Sequence, residues 1–197
     1  MRGRKEAAVE QRDRSVADLE QASSQVVMLG KECDALRVVG ELLRESVKAK
    51  VEKLVTTALR SIYGRDDYEF VMEFELQRGQ MTATPMLRST FKGETITVPV
   101  SDAHGGGIVN VVAFVLRVVV LVLTRPQLQR VIIADESFRN VSREYLPRVA
   151  EFLRSLHDVT GVQVVMVTHQ PEMIEAADKV YRVTKDEDGV TKVKEES

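Results

Sequence analysis

Two adjacent carboxylates follow a run of apolar residues in "VIIADESFRNVS", residues 131–142. Like charges at neighbouring positions are unfavourable unless a cation or a proton-transfer role compensates for them. In nucleotide hydrolases the first such carboxylate helps to hold Mg²⁺ and the second polarises the attacking water. The pattern makes Asp135 a candidate metal ligand and Glu136 a candidate catalytic residue, although strands that end in two acids also occur by chance.

A second apolar strand, "VQVVMVTH" (162–169), ends in His169. Parallel sheets bind ligands at the edge where their carboxyl ends meet, so this imidazole is expected to lie near the two carboxylates. There it could donate a hydrogen bond to a γ-phosphate or act as its sensor. A single histidine after a strand is more often an ordinary surface residue, and the residue alone leaves both interpretations open.

Three consecutive glycines, Gly105, Gly106 and Gly107, stand in "SDAHGGGIVNVV" before a valine-rich segment. Glycines that open a helix leave backbone N–H groups free to approach an anion, and the helix dipole favours negative charge there. The alternative interpretation of the same residues is a flexible entry turn. The glycine run is therefore a candidate anion-binding element.

The elements that must position these residues alternate from residue 108 onward. The pattern predicts a helix to about residue 125, the strand "VIIAD", a helix around 143–157, the strand 162–169, a helix near 171–177 and the strand "KVYRVTKD". Such alternation is typical of a parallel sheet with crossover helices. The last residues, "KVKEES", are predicted to form a frayed tail.

Residues 64–100 have a different pattern. The segments "YEFVMEFELQRG", "QMTATPMLRST" and "TITVPVS" alternate apolar and polar residues, and turn signals occur at Arg78–Gly79 and Lys92–Gly93. This spacing predicts an antiparallel meander of about three strands ahead of the parallel sheet.

Residues 1–63 contain no proline and carry apolar residues at heptad-like spacing, with a phase shift after Val47. The pattern predicts one long helix, first a coiled-coil strand and then a segment that docks on a globular body. A plain amphipathic helix is the alternative. The predicted domains are thus 1–63, the coiled-coil helix, and 64–197, the globular lobe.

Composition excludes some classes of protein. The net charge of −2 and an aromatic content of 5% give no global signature of nucleic-acid binding. A single cysteine, Cys33, allows no internal disulfide and suits a reducing, cytosolic setting. The apolar run 108–123 is shorter than a typical membrane span and contains Asn110 and Arg117, so we expect a helix buried in protein and no membrane association.

Taken together, the order of these motifs is more specific than each motif alone. Three glycines before a long apolar helix, an apolar strand ending in Asp-Glu, and an apolar strand ending in Thr-His about thirty residues later resemble the C-terminal half of an ABC-type P-loop ATPase head. With the coiled-coil helix, the chain is similar to the SMC-like branch, which includes the SMC proteins, RecF, RecN and the SbcC-type repair ATPases. It most resembles phage-type or SbcC-like recombination ATPases.

The resemblance implies roles for particular residues. Asp135 would be the Walker B aspartate that supports Mg²⁺, Glu136 the catalytic glutamate, and His169 the switch histidine. Residues 104–107, with His104 at the position of the usual serine in one alignment, would form the signature motif that caps the γ-phosphate of ATP held by an opposite head. Residues 137–142 would form the D-loop, where Ser142 replaces the usual aspartate.

The resemblance also implies partners, because no GxxxxGK[ST] phosphate-binding loop occurs in the chain. A Walker A-bearing N-terminal lobe, from a separate chain or a missing segment, is expected to complete the head. A second head, DNA and a nuclease subunit are further expected partners, in a cytoplasmic, nucleoid-associated setting. The expected function is an ATP hydrolase in DNA repair or recombination that is inactive alone. The alternative is a non-enzymatic lobe that docks on a complete ATPase and regulates it.

Overall fold

The computed structural model describes residues 2–103 and 105–196 of the chain. The chain forms two compact units, Met1–Lys48 and Ala49–Ser197. One helix, α1 (Arg2–Tyr63), contributes to both units and ends where the sequence predicts the long helix to end. The predicted boundary between residues 63 and 64 stays a prediction.

In the first unit, α1 exposes a series of large apolar side chains. Every residue from 9 to 47 is exposed. The exposed set includes Leu19, Val26, Leu29, Leu36 and Leu43, which are among the apolar residues at heptad-like spacing. Because a helix in water rarely leaves a long apolar seam uncovered, this exposure favours the coiled-coil interpretation over a plain surface helix.

In the second unit, one face of the last turns of α1 packs into the hydrophobic core. The buried side chains of this face are Val51, Val55, Ala58, Leu59 and Ile62. The same turns also cover the free edge of strand β1 (Glu69–Gln77). The backbone N–H of Phe70 donates to Thr56 Oγ1 at 2.9 Å, and that of Met72 donates to Glu52 Oε1 at 2.7 Å. A helix that satisfies an edge strand in this way protects it from pairing with another chain.

The predicted meander is present. Strand β1 pairs with β2 (Gln80–Phe91), and β2 pairs with β3 (Glu94–Pro99), both antiparallel. Both two-residue turns have positive φ at their two central residues, 51° and 79° at Arg78–Gly79 and 51° and 85° at Lys92–Gly93. These are the turn conformations that match the twist of a hairpin, so the turn signals in the sequence are confirmed.

The valine-rich segment forms helix α2 (Gly106–Leu123), and it is followed by strand β4 (Val131–Asp135). A 3₁₀ turn and helix α3 (Leu146–Thr160) then lead to strand β5 (Gln163–Val167). Strands β4 and β5 are parallel neighbours, with Asp135 paired opposite Val167. Ile132 and Ala134 of β4 are buried in one core with residues of α1, α2 and α3, and Val164 and Met166 of β5 are half-buried against it. The predicted α/β lobe with a parallel sheet and crossover helix is therefore confirmed.

The C-terminal segment differs from the prediction. After the short helix α4 (Pro171–Glu175), strand β6 (Val180–Lys185) forms an antiparallel hairpin with β7 (Thr191–Glu196) and pairs with no other described strand. The prediction of a frayed tail at "KVKEES" was therefore wrong. The Asp186 carboxylate accepts the Val190 N–H at 2.8 Å and closes a tight turn, which gives the polar tail a pairing partner.

Helix α2 is, by length and composition alone, the one helix in the described part of the chain that could cross a membrane. Its buried residues include Val111, Val112, Phe114, Val115, Val118 and Val119. A helix whose apolar side chains fill the core of a soluble lobe passes the same test, and this burial supports the expected core role.

Candidate functional site

The two carboxylates lie at the carboxyl end of the parallel strand pair. Asp135 is the last residue of β4, and Glu136 begins the loop that follows. The Glu136 backbone has φ of 46°, in the left-handed region that non-glycine residues rarely adopt. Its N–H donates to the carbonyl of Val167 at 2.9 Å, which holds the turn against the end of β5. Sparsely populated backbone conformations of this kind are concentrated at functional sites.

Glu136 and His169 are in direct contact. Nδ1 of His169 lies 2.7 Å from Oε1 of Glu136, within hydrogen-bond distance. The Glu136 side chain is 28% exposed and the His169 side chain 80% exposed, so the pair lies at a surface with the imidazole on its outer side. The structure thus brings together the two residues that the sequence made candidates for catalysis, from loops 33 positions apart.

The second carboxylate oxygen of Glu136 is the unusual atom of the site. Oε2 is buried and has no hydrogen-bond partner among the described residues. Burial of a carboxylate oxygen without a hydrogen-bond partner costs free energy of folding. The position of Oε2 therefore indicates that the site binds a further group, such as a polarised water. This atom fits the predicted role of Glu136 as the residue that accepts a proton from water.

Asp135 fits the role of a magnesium ligand if waters and nucleotide phosphates supply the other ligands of the ion. The described residues hold no group of three or more side chains that could bind a metal by themselves. Mg²⁺, however, is usually bound through one or two carboxylates together with waters and substrate phosphates. Asp135 is exposed at the strand end, where one carboxylate could complete such a set around a nucleotide.

The loop 137–142 is anchored from two sides. The Phe138 ring is buried, and its centroid lies 5.1 Å from that of Phe114 of α2. The Gln170 side chain donates from Nε2 to the Phe138 carbonyl at 3.2 Å, so the residue next to His169 also holds the loop next to Glu136. Ser142, the predicted D-loop residue, is exposed where the 3₁₀ turn begins, and its carbonyl accepts the N–H of Tyr145.

The glycine run is held against this loop. Gly105 has φ of 101°, which favours glycine. A Cβ added to Gly106 would lie 3.2 Å from Nδ2 of Asn140, and one added to Gly107 would lie 2.9 Å from the Asn140 carbonyl oxygen. Close packing against backbone therefore requires glycine at Gly107, whereas a side chain at Gly106 would need the Asn140 side chain to shift by a few tenths of an ångström. The local sequence did not reveal this reason for glycine at Gly107. His104 lies outside the described residues.

Sequence reasoning missed three residues that the tertiary structure places around the site. Gln170 and Asn140 join the loops, and Tyr63, at the end of α1, places its hydroxyl oxygen 3.1 Å from the position of a Cβ on Gly107. Gln170 had a weak signal because it directly follows His169. Nothing in the local sequence distinguishes Asn140 or Tyr63, since their positions depend on packing between distant segments.

Comparison with known proteins identifies the fold. No protein-family model and no curated protein sequence matches the chain. A chain from a structural study of ATP-driven dimerization and DNA-stimulated activation of SMC ATPases matches with a TM-score of 0.57 and 15% identity, over 80% of this chain and 89% of that chain. The Smc head bound to the C-winged helix domain of ScpA matches with a TM-score of 0.58 and 16% identity, over 76% of this chain and 43% of that chain.

A third similar structure is the Smc head domain of Pyrococcus yayanosii with a coiled coil and joint. It matches with a TM-score of 0.58 and 16% identity, over 91% of this chain and 34% of that chain. This chain therefore spans less than half the length of the latter two proteins. The likeness shows that the chain has the fold of part of an SMC ATPase head, with its long helix, antiparallel sheet and parallel sheet.

Proposed function

We propose that this chain is the C-terminal lobe of an SMC-like ATPase head that hydrolyses Mg-ATP when a Walker A-bearing lobe completes it. The observation that carries the proposal is the Glu136–His169 pair at the carboxyl end of β4 and β5, with one buried oxygen of Glu136 left without a described partner. The fold supports the same proposal, since a neighbour from a study of ATP-driven dimerization matches over 89% of its own chain.

The residues of this chain have separate tasks in that reaction. Glu136 orients the attacking water and accepts its proton, and His169 holds the Glu136 carboxylate in position through Oε1 and offers its outer face to the γ-phosphate. Asp135 supports the metal ion, which when bound neutralises charge that develops on the phosphate oxygens. These roles require a nucleotide held by a phosphate loop that this sequence lacks.

The glycine run and loop 137–142 form a second functional surface. Gly105, Gly106 and Gly107 open an 18-residue helix whose first N–H groups have no partner within the helix, as at any helix N-terminus. In the proposed head dimer, these groups, with His104, cap the γ-phosphate of the nucleotide held by the opposite head. Ser142 and the rest of loop 137–142 lie beside that contact.

One face of the parallel strand pair, called the bare face below, supports the proposal of a completing lobe. Val131, Ile133 and Asp135 of β4 point to this face, and their partners in β5 are Gln163, Val165 and Val167. All six residues are exposed. Because parallel sheets are normally covered on both faces, the four exposed apolar side chains of this face (Val131, Ile133, Val165 and Val167) support the proposal that a further element covers it. A Walker A-bearing lobe would cover this face and bring the phosphate loop to the carboxylates.

The apolar seam of α1 supports the same arrangement. The exposed leucines and valines of residues 9–47 require a second helix to cover them. In an SMC-like ATPase an antiparallel helix from the N-terminal lobe would supply that cover. We further propose that the complete protein acts in DNA repair or recombination as an SbcC-like, phage-type ATPase, in the cytoplasm, with DNA and a nuclease subunit as partners.

A native pull-down tests the proposal. The full chain, with Mg²⁺ and a non-hydrolysable ATP analogue, is expected to recover a partner with GxxxxGK[ST] and a coiled-coil segment, and the pair is expected to hydrolyse ATP. The Ile133→Lys variant, altered on the bare face, is the control and should recover less of that partner. Recovery of an ATPase that already has both lobes would instead support the non-enzymatic regulator. A monomeric chain that binds no partner and no nucleotide would refute the proposal.

A further inference from the structure

Asn140 packs against two residues of the glycine run at once. Among the described residues outside α2, the three atoms nearest to a Cβ built on Gly106 all belong to the Asn140 side chain, with Nδ2 at 3.2 Å, Cβ at 3.3 Å and Cγ at 3.4 Å. The Asn140 carbonyl oxygen lies 2.9 Å from a Cβ built on Gly107. The side chain of Asn140 therefore covers the first residue of α2, and its backbone lies against the second.

The loop that carries Asn140 is held by its own backbone and by the core. The Arg139 N–H donates to the Glu136 carbonyl at 3.1 Å, and the Val141 N–H donates to the Phe138 carbonyl at 2.9 Å, so two successive turns lead from Glu136 to Asn140. The side chains of Phe138 and Val141, before and after Asn140, are buried. The loop therefore places Asn140 at a set position relative to the candidate catalytic carboxylate.

Consecutive glycines need contacts from other segments to fix their conformation. Glycine has more backbone freedom than any other residue, and Gly105 adopts a φ of 101°. Gly106 has no side chain by which the first turn of α2 can pack against the lobe. Asn140 packs against Gly106 from outside the helix, so it supplies the contact that the glycine itself lacks.

We propose that Asn140 is a positioning residue of the head dimer, which fixes the glycine run so that its N–H groups meet the nucleotide held by the opposite head. This inference rests on the proposed function. Asn140 acts through the glycine run on the reaction in the other head, although it lies in the loop that follows Glu136 of its own head. Packing is the property required, so a side chain of the same size should serve without an amide.

Mixed complexes test on which nucleotide Asn140 acts. One chain carries Glu136→Gln and the other is unchanged, each with its Walker A-bearing partner, so that single-turnover phosphate release reports the unchanged head. Asn140→Ala added to the Glu136→Gln chain should slow that release about tenfold or more, because a slight misplacement of a group at the reacting centre has a large effect on rate. The same substitution in the chain with intact Glu136 should slow it less, since the glycine run of that chain faces the nucleotide of the inactive head.

The two placements of the substitution also give the results that would contradict the inference. An equal effect in both placements, a larger effect beside the intact Glu136, or no effect in either would overturn it and leave the proposed function intact. Absence of ATP hydrolysis by the unmodified complex would refute the proposed function, and this inference with it. Gln129→Ala, at an exposed position before β4, is the control and should change the release in neither placement.

A second variant separates packing from the chemistry of the amide. Leucine has nearly the size and shape of asparagine, so Asn140→Leu in the Glu136→Gln chain should keep most of the release rate that Asn140→Ala loses. An equal loss would assign the amide a direct contact with the nucleotide and overturn the positioning role. Because Asn140 is exposed, both variants should melt close to the wild type as isolated chains. A fall of several degrees for Asn140→Ala would also overturn the inference, since the slower release would then follow from an unstable lobe.

Discussion

Nδ1 of His169 lies 2.7 Å from Oε1 of Glu136, and this contact joins the loops that follow two adjacent parallel strands. The Glu136 N–H donates to the Val167 carbonyl at the end of β5, so the same residue is held by both its backbone and its side chain. The other carboxylate oxygen, Oε2, has no hydrogen-bond partner among the described residues. This arrangement holds the Glu136 side chain in a fixed orientation.

Glu136→Gln should abolish ATP turnover in the assembled complex while it favours the ATP-bound dimer. The amide retains the size of the side chain and a hydrogen bond to His169, but it cannot accept a proton from water. Loss of a general base of this kind lowers the rate by about 10²- to 10⁴-fold. Steady-state phosphate release and analytical ultracentrifugation measure the two effects. Unchanged hydrolysis would remove Glu136 from the catalytic role.

His169→Ala should lower kcat in the same complex with a smaller effect on KM, because Glu136 would lose the side chain that orients it. His157→Ala is the matched control. His157 contacts the Val162 carbonyl at 3.1 Å inside the lobe, so its loss should lower the melting temperature and leave kcat per folded complex unchanged. An equal fall of kcat in both variants would assign His169 a structural role only.

Gly107→Ala should destabilise the lobe by about 1–3 kcal/mol, as expected when a side chain is forced into a packed space. Its Cβ would lie 2.9 Å from the Asn140 carbonyl oxygen and 3.2 Å from the Val141 Cα, and both are backbone atoms that cannot rotate away. Urea unfolding measures the change.

Gly30→Ala is the control for that substitution. Gly30 lies on α1, and a Cβ added to it would meet nothing within 4 Å, so alanine there should favour the helix by about 0.5–1 kcal/mol. A wild-type stability for Gly107→Ala would show that the glycine run and loop 137–142 are not packed as described.

Ile133→Lys should leave the isolated chain folded and weaken binding of the completing lobe about tenfold or more. Ile133 is 76% exposed on the bare face of the sheet, so lysine there should change the stability of the isolated chain little. Binding of a partner would bury the lysine charge, and that burial is unfavourable. Ile132→Lys, on the buried face, should unfold the lobe. Circular dichroism and a binding titration with the recovered partner separate the two effects. Unchanged binding by Ile133→Lys would place the partner elsewhere.

The turn after α1 should lose stability in acid through Asp67. The pKa of Asp67 is lowered mainly by hydrogen bonds that the Arg65 guanidinium donates to its carboxylate. The Thr90 N–H donates a further hydrogen bond to the same carboxylate. A carboxylate with a lowered folded-state pKa stabilises the fold above its unfolded pKa, and this contribution is lost as the pH falls through the folded value. Asp67→Asn should therefore melt below the wild type at pH 7 and approach it in strong acid.

The exposed neighbour Asp66 provides the comparison for that experiment. Asp66→Asn should melt close to the wild type at pH 7, since the Arg65 guanidinium bonds to Asp67. A difference between Asp67→Asn and the wild type that persists unchanged in strong acid would show that the lost interaction is not the charged one.

Several elements could be predicted because local physics determines them. The turns at Arg78–Gly79 and Lys92–Gly93 require residues that accept positive φ, and the alternating strands on either side favour a hairpin. Strand β4, ending in Asp135, is set by the run of apolar residues before it. The tail was mispredicted because its strand, β7, is polar and exposed, and its order comes from pairing with β6 after a tight turn.

The sequence by itself determined which residues could do chemistry: two acids after one apolar strand, a histidine after another, and glycines before an apolar helix. Their types and spacing follow from backbone and side-chain properties that are local to each segment. Only the tertiary structure decided that His169 contacts one oxygen of Glu136, that the other oxygen has no described partner, and that Tyr63 and Asn140 meet at Gly107. Those relationships depend on the packing of segments far apart in the chain, which no local pattern encodes.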